Sequence, residues 1–417
     1  SNAQWLLGLI YLDKYNDINK AINYLTLSAN QNNVISLNIL GAIYYNNQLI
    51  PRDINKSIYY LQLAANLNYP SAQKNLGFIY LNGEFVTQDI TKGIKYLKLA
   101  ADQNNLEAQF ILGENYYTGE FIEQNINKAI NYFTLAANQN YSEAQFYLGV
   151  IYLEGKIIVR DINKSIYYFT LASNQNHSIA HFYMWKIYSE GEYIACDMKK
   201  AVHYLTLSAN QNYPQAHYIL GTLYYEGIYF TPDYQKAIYY FELASRQNNI
   251  DAQMVLAYIY KTRDIKKTIY YLTLAANQNN ADAQCYLGII YYEDEYTPHD
   301  INKAIHYFTL SAYQNNADAQ FYLGEIYYKD EYIAHDINQA INYLTLAASQ
   351  NNAGAQYYLG EIYYEGKYIK ADMKKAIHYL TLSANQNYIY AQGILGVIYF
   401  KGIQVTKDIA NRFIFSP

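Results

Sequence analysis

Hydrophobic residues recur along the chain with the period of an α-helix. In residues 281–292, ADAQCYLGIIYY, small or apolar side chains stand at Ala283, Leu287, Ile290 and Tyr291. Residues with this spacing share one face of a helix, and the polar positions fall on the opposite face. The pattern therefore predicts an amphipathic helix over residues 281–292.

A second helical pattern follows a short polar stretch. Residues 300–312, DINKAIHYFTLSA, carry a stripe of small and apolar side chains at Ile301, Ala304, Ile305, Phe308, Ser311 and Ala312. Asp300 precedes this stripe and suits an N-cap, because its carboxylate can accept hydrogen bonds from the free N–H groups of the first turn. The two patterns together predict a pair of helices.

The pair recurs through the whole chain. The glycine of the motif LG-x-I-Y marks a position that we call the glycine slot, and it recurs every 36 residues in nine of eleven intervals, the others being 33 and 31. The slots hold Gly8, Gly41, Gly77, Gly113, Gly149, Trp185, Gly221, Ala257, Gly288, Gly324, Gly360 and Gly396. A fixed period of this length is typical of stacked two-helix repeats. The sequence predicts an all-α solenoid of about twelve repeats, a single domain over residues 1–417, in which residues 1–3 resemble a tag remnant.

An asparagine stands fifteen residues after each capping Asp or Asn, where the second helix must end. A helix commonly ends with one residue in the left-handed conformation, and Asn tolerates this conformation better than any residue except Gly. We therefore expect a structural role at helix ends for Asn32, Asn68, Asn104, Asn140, Asn176, Asn212, Asn248, Asn279, Asn315, Asn351 and Asn387. The residue after each of these varies, so the sequence predicts no strict requirement there.

These motifs resemble the Sel-one-like repeat (SLR), a relative of the tetratricopeptide repeat. The resemblance covers essentially the whole chain and rests on Ala283, Gly288, Tyr291, Lys303, Ala304, Ser311 and Ala312 and on their counterparts in the other copies. Two departures are systematic: Asn replaces the family's usual Gly at the helix end, and Tyr, as at Tyr307, replaces its usual Trp. The resemblance implies a right-handed superhelix of antiparallel helix pairs that acts as a scaffold or adaptor for protein partners.

A tyrosine stands three residues after every glycine slot, as at Tyr291, Tyr327 and Tyr363. Large aromatic side chains at helical spacing are usually buried. We therefore predict that this column packs in the core, with a tyrosine-lined ligand groove as the alternative.

Composition excludes several function classes. The net charge of −5 gives no basic field for nucleic acid. No apolar run reaches the roughly 18 residues that a membrane span needs, and no catalytic or cofactor motif is present. Only two cysteines occur, Cys196 and Cys285, which favours a reducing compartment such as the cytoplasm. The sequence predicts a protein that is not an enzyme and has no cofactor.

A candidate binding surface varies between copies. Its positions lie three before, one after and four after the glycine slot, and we call them the first-helix stripe. In tetratricopeptide-like arrays the first helices line the concave surface, so the stripe is predicted to bind a protein or peptide ligand there, and its carboxylates favour a basic one. The alternative is that its aromatic residues only pack between repeats. The candidate residues are Phe110, Glu114, Tyr117, Phe146, Tyr218, Tyr225, Phe321, Glu325, Tyr328, Tyr357, Glu361 and Tyr364.

The histidines allow a metal-site hypothesis and a structural alternative. His177, His181 and His217 could come together as zinc ligands, although exposed polar positions explain them equally well. His203, His306 and His378 are expected on an outer surface. The lysine column that includes Lys303 is expected on a solvated face.

Two irregularities interrupt the array. Trp185 occupies a glycine slot, and five residues are missing around residues 261–264. We predict a local change of superhelix curvature between residues 185 and 264, with neutral sequence drift as the alternative.

Two other functions remain open at this stage. The chain starts within a repeat motif, so it could be the regulatory or targeting part of a larger protein with an enzyme domain, such as a kinase or a ubiquitin-ligase assembly. It could also be a structural spacer that binds no ligand. The sequence does not determine the partner or the oligomeric state.

Overall fold

The two amphipathic patterns fold as helices within one residue of the expected boundaries. The computed structural model describes residues 2–46, 49–156, 158–192, 194–293, 300–329, 334 and 336–400, and these residues form 23 α-helices and no strand. The first pattern forms a helix over Ala281–Tyr292, and the second over Ile301–Tyr313. The all-α helix-pair solenoid predicted from the sequence is confirmed.

First and second helices alternate along the chain. The first helices are α1 (Asn2–Asp13), α3 (Val34–Tyr45), α5 (Pro70–Asn82), α7 (Leu106–Thr118), α9 (Ser142–Glu154), α11 (Ser178–Glu190), α13 (Pro214–Glu226), α15 (Ile250–Tyr260), α17 (Ala281–Tyr292), α19 (Ala317–Lys329), α21 (Ala353–Glu365) and α23 (Ile389–Phe400). The second helices are α2 (Ile18–Ala29), α4 (Ile54–Asn66), α6 (Ile90–Asp102), α8 (Ile126–Asn138), α10 (Ile162–Ser173), α12 (Met198–Asn210), α14 (Tyr234–Arg246), α16 (Ile265–Asn277), α18 (Ile301–Tyr313), α20 (Ile337–Ser349) and α22 (Met373–Ala384).

The chain divides into two compact units, unit 1 (residues 1–216) and unit 2 (residues 217–417). Within each unit, consecutive helices pack on each other, as α5 does on α6 and α17 on α18. The expectation of one domain over residues 1–417 stays a prediction, as does the change of curvature between residues 185 and 264.

Each second helix begins at a side-chain cap. The carboxylate of Asp300 accepts a hydrogen bond from the Lys303 N–H at 3.1 Å, and the Lys303 ammonium returns to the same carboxylate at 3.1 Å. Asn125, the one amide in this column, accepts equally well from the Lys128 N–H at 3.0 Å. The caps identified from the sequence are therefore confirmed.

The invariant asparagines adopt the left-handed conformation. All eleven have positive φ angles, from 58° at Asn212 to 68° at Asn351. Around Asn279, the N–H of Asn279 donates to the Ala276 carbonyl at 2.9 Å and the N–H of Asn280 donates to the Ala275 carbonyl at 3.2 Å. This double hydrogen bond is the Schellman motif, which satisfies carbonyl groups that the helix end would otherwise leave free. The predicted torsion is confirmed.

The residue after each asparagine is less free than the sequence indicated. Asn280 caps the next helix, since its side chain accepts from the Ala283 N–H at 2.8 Å. His177 does the same through Nδ1, at 3.1 Å from the Ala180 nitrogen. Only Tyr69 and Tyr141 lack a side-chain cap where the caps are described, and Pro70 after Tyr69 needs no donor at the first helical position.

The glycine slot allows the two helices of a repeat to touch. A Cβ atom at Gly288 would lie 2.5 Å from Cδ1 of Phe308, which is fully buried. Leu61 covers Gly41 in the same way, with Cγ 2.5 Å from the position of a Cβ. These contacts leave no room for a side chain, because packed interiors contain few voids.

A column of buried glutamines links successive repeats, and the sequence analysis missed it. Gln320, only 2% exposed, donates to the Ala312 carbonyl at 3.4 Å and to Oδ1 of Asn315 at 3.2 Å. Its own carbonyl oxygen accepts from Gln350 at 2.8 Å. One side chain thus connects the end of α18 to α19 and to the end of α20. The buried members of this column are Gln73, Gln109, Gln145, Gln253, Gln284, Gln320 and Gln356.

The tyrosine column packs as predicted, but among its described members only Tyr116 is buried in the core, and the others lie at its edge. Tyr291 is half-buried and stacks on Tyr307, with ring centroids 5.9 Å apart and an interplanar angle of 5°. Lys303 Nζ lies 4.9 Å from the centroid of Tyr291. Tyr327 and Tyr363 stack on Tyr343 and Tyr379 in the same way. The lysine column therefore lies on a solvated face, as expected, where it also covers the tyrosine rings.

Trp185 is accommodated without a break in α11. The indole is half-buried, with its ring centroid 5.1 Å from that of Phe182, and Nε1 has no hydrogen-bond partner among the described residues. The five-residue deletion, in contrast, shortens the segment between two helices. It leaves only residues 261–264 between α15 and α16.

We predict that Asn351→Ala destabilises the protein more than Asn351→Gly. Both changes remove the Oδ1 acceptor of Gln356 and Gln386, but only Ala places a Cβ at a φ of 68°. The difference between the two variants should be about 1–2 kcal/mol in free energy of unfolding, measured by urea denaturation. Equal stabilities of the two variants would contradict the role assigned to the left-handed torsion.

Candidate functional site

In unit 1, aromatic members of the first-helix stripe lie between consecutive first helices. The ring centroid of Phe110 is 5.1 Å from that of Tyr141 and 5.7 Å from that of Tyr147. Tyr117 lies 5.7 Å from Tyr147. Phe146 stacks on His177 at 4.8 Å. These contacts join residues of neighbouring repeats, so much of the aromatic area is used within the protein.

Unit 2 repeats this arrangement in its later copies. Phe321 and Tyr328 lie 5.9 Å and 5.8 Å from Tyr358 of the next repeat. Tyr357 lies 5.3 Å from Tyr388. Tyr218 and Tyr225 instead contact Phe241 of their own repeat, at 5.9 Å and 6.4 Å, and Tyr364 packs against the last core cluster. All of these stripe residues are half-buried.

The three candidate carboxylates already have partners. Glu325 is 8% exposed, accepts from the Tyr358 hydroxyl at 2.7 Å and pairs with Lys329 at 2.6 Å. Glu114 accepts from the Tyr147 hydroxyl at 3.3 Å, and Glu361 accepts from the Tyr357 hydroxyl at 2.6 Å.

Burial raises the pKa of the Glu114 and Glu361 carboxyls above the ordinary value, and the tyrosine hydroxyls oppose part of this increase. Burial also raises the pKa of Tyr357 and Tyr358, and the neighbouring carboxylates raise it further. The tyrosine hydroxyls therefore stay protonated and act as donors.

An open cavity of about 490 Å³ lies on the stripe of unit 1. Its walls come from α3, α5 and α7, and it is lined in part by Ala42, Tyr45, Lys74, Phe78 and Phe110. Phe78 is 42% exposed. Lys74 forms an ion pair with Glu107 at the same cavity.

A second cavity, of about 360 Å³, lies on the stripe of unit 2 between α15, α16 and α17. Its lining includes Met254, Tyr258, Leu272, Tyr286 and Ile290. Tyr258, one residue after the glycine slot of its copy, is 73% exposed.

Apart from Phe110, which lines the first cavity, the stripe residues around the two cavities belong to copies that the sequence analysis did not select. The candidate residues were selected for their aromatic side chains, and in the selected copies these rings fill the space between repeats. The cavities instead lie where the stripe is small or interrupted, at Ala42 in one copy and beside residues 261–264 in the other. The sequence feature that could have located the cavities is the departure of these copies from the repeat consensus.

The histidines fit structural roles. His181 and His217 are 2% and 3% exposed and occupy the slots of the buried glutamine column, so they are not the exposed polar positions considered as an alternative to zinc. Burial lowers the pKa of His181. His203, His306 and His378 are exposed, as expected. Within the described ranges, no three His, Cys, Asp or Glu side chains come together as a metal site requires.

The two cysteine thiols lie in different environments. Cys196 is exposed, Cys285 is buried, and both are free. Burial raises the pKa of the Cys285 thiol to about 12.

None of the described helices combines the length and apolar character that crossing a bilayer demands.

The sequence matches the Sel1 repeat model in twelve successive segments: residues 1–33, 34–69, 70–105, 106–141, 142–177, 180–213, 214–249, 250–280, 281–316, 317–352, 353–388 and 389–411. No curated protein is significantly similar to the chain.

Two solved structures are similar over most of the chain. A protective antigen present in uropathogenic Escherichia coli strains, which displays an SLR fold, shares 26% identity at a TM-score of 0.62, over 98% of this chain and 89% of its own. A Sel1 repeat protein from Oxalobacter formigenes shares 28% identity at a TM-score of 0.56, over 73% of this chain and 90% of its own.

We predict that Glu361→Gln stabilises the protein at neutral pH and not at acid pH. Because the folded-state pKa of Glu361 is raised, ionisation of this carboxyl opposes folding. The penalty is absent below the unfolded-state pKa of about 4.3 and fully present above the folded-state pKa. The thermal midpoint of the variant should therefore exceed that of the unmodified protein at pH 7 and match it near pH 3.5.

The exposed Glu226 provides the control, since Glu226→Gln removes a charge from the equivalent end of α13, and Glu226 is not among the groups that shift the pKa of Glu361. A gain from Glu361→Gln that persists unchanged at pH 3.5, or that Glu226→Gln reproduces, would contradict the assigned cause.

Proposed function

The chain belongs to the Sel1 repeat family, and we propose that it is a non-enzymatic scaffold that binds a protein or peptide segment along the first-helix stripe. Sel1 repeat proteins are generally protein-interaction scaffolds, and their fold is typically non-catalytic. The observation that carries the proposal is the cavity of about 490 Å³ in unit 1, which lies on the stripe and is bordered by an exposed phenylalanine.

The chemistry of this cavity suits a protein ligand. Exposed aromatic residues at the mouth of a pocket are typical of the few side chains that supply most of the binding energy at an interface. Phe78 provides such a ring, while Tyr45 and Phe110 contribute further apolar walls. The Lys74–Glu107 ion pair adds a polar edge that can fix the orientation of a bound segment.

We further propose that the bound segment carries a basic residue. Glu114 and Glu361 are half-buried beside aromatic rings, and a Lys or Arg brought near them would favour their ionised forms. The net charge of −5 also favours a basic ligand at low ionic strength. The proposed contact residues are the candidate residues of the first-helix stripe selected from the sequence, together with Lys74 and Phe78, which hold stripe positions in α5.

A peptide selection tests the proposal. Peptides selected from a random displayed library on the immobilised protein should be enriched in Lys or Arg. They should bind the Phe78→Ala variant at least tenfold more weakly, measured by fluorescence anisotropy, because the exposed ring is an expected anchor.

The matched control is Tyr59→Ala, which removes a ring that is 60% exposed on a second helix. We expect this change to leave peptide affinity within about twofold. Peptides that tolerate Phe78→Ala but lose affinity for Tyr59→Ala would place binding on the second helices and refute the proposal.

A further inference from the structure

The shortened repeat lacks an aromatic ring that other repeats use to fill a defined space. Position four after the glycine slot holds Tyr117, Tyr225 and Tyr292 in three other copies, whereas it holds Lys261 in the copy whose slot is Ala257. Lys261 is the C-cap of α15, and α16 begins at Ile265. The five-residue deletion therefore removes both the ring and most of the segment between the helices.

The intact repeats show where that ring lies. The centroid of Tyr292 is 6.4 Å from that of Phe308 on the second helix of its repeat and 5.9 Å from that of Tyr322 on the next first helix. Tyr117 lies 6.5 Å from Phe133 and 5.7 Å from Tyr147 in the same way. The ring thus occupies the space between a helix pair and the first helix of the following repeat.

In the shortened repeat this space is the cavity of about 360 Å³. Lys261 and Leu272 occupy the positions that Tyr292 and Phe308 hold one repeat later. Tyr286, the counterpart of Tyr322, is 49% exposed. The remaining floor is apolar and includes Met254 and Ile290.

The two helices of the shortened repeat keep the spacing of the intact repeats. Tyr260 stacks on Tyr271 with centroids 6.0 Å apart, against 5.9 Å for the Tyr291–Tyr307 pair. The Gln278 amide donates to Gln253 at 2.9 Å, so the glutamine column is continuous here. α15 and α16 have therefore not moved together over the missing ring, and the space that the ring fills in other repeats stays open as the cavity.

We propose that this cavity binds an aromatic side chain of a protein partner. The inference rests on the proposed function, because Met254, Tyr258 and Lys261 belong to the first-helix stripe along which the partner lies. Tyr258 at the rim and Tyr286 in the wall offer the edge-to-face contacts that aromatic pairs prefer. Lys261 also lines the cavity, and its ammonium can approach the face of the incoming ring.

The first test uses 4-methylphenol, which is the side chain of tyrosine, as the probe on the full chain. We expect the probe to shift the methyl NMR signals of Met254 and Ile290 saturably. The variant Lys261→Tyr restores the ring of the intact repeats and should weaken probe binding at least tenfold. Lys266→Tyr, which adds a ring at an exposed position of α16, should leave probe binding unchanged.

Leu272→Phe is a second filling variant, because phenylalanine occupies this position at Phe241 and Phe308. It keeps the proposal testable if Lys261→Tyr fails to fold. A probe that does not bind, or that binds both filling variants as tightly as the unmodified protein, would overturn the proposal.

The second test uses the peptides selected for the proposed function. Peptides with an aromatic residue should compete with 4-methylphenol and bind Lys261→Tyr at least tenfold more weakly. Probe binding without competition by any peptide would overturn the assignment of the cavity to a partner side chain. Probe binding and peptide competition that persist while Phe78→Ala has no effect would refute only the proposed contact surface in unit 1.

Discussion

Every repeat depends on a junction in which one helix ends and the next begins within a few residues. The N–H groups of Asn351 and Asn352 close the end of α20 on the Ala348 and Ala347 carbonyls, and the Asn352 side chain starts α21. The left-handed torsion of Asn351 makes this sharp reversal possible. Gln356 then fixes the junction through its bond to the Ala348 carbonyl at 3.3 Å. No long loop separates the two helices at this junction. In the first eleven repeats, a leucine or phenylalanine of the second helix covers the slot wherever the slot holds glycine.

Regular and irregular copies have different consequences. Where the stripe carries aromatic residues, as at Phe110 and Tyr117, the rings fill the space between repeats and stabilise the stack. Where a copy departs from the pattern, as at Ala42 or Lys261, the same spacing leaves a cavity. In the function that we propose, the binding sites are therefore the exceptions in a scaffold that the regular copies hold in place.

Polar groups have different roles on the second helices and on the first helices. On the second helices, Lys303 pairs with Asp300 and covers Tyr291, so a cation, an anion and a ring satisfy one another. On the first helices, tyrosine hydroxyls donate to Glu114 and Glu361, which are half-buried and whose pKa values are raised by burial. An approaching cation lowers the pKa of such half-buried carboxyls more than it lowers the pKa of fully solvated ones.

The sequence by itself determined the repeat length, the helix pairs, the Asp caps and the left-handed asparagines. Each of these depends on residues only a few positions apart, such as Asp300 with Lys303 or Asn279 with Ala276, and local hydrogen bonds and torsions are visible in a linear pattern. Only the tertiary structure decided that Gln320 is buried, that His181 stands in a glutamine slot, that Glu325 is already paired with Tyr358, and that the open cavities lie beside Ala42 and Lys261. Each of these properties depends on side chains about 30 residues away, in the neighbouring helix pair. Whether a position is buried, paired or open is decided by how those side chains fill the space between two repeats.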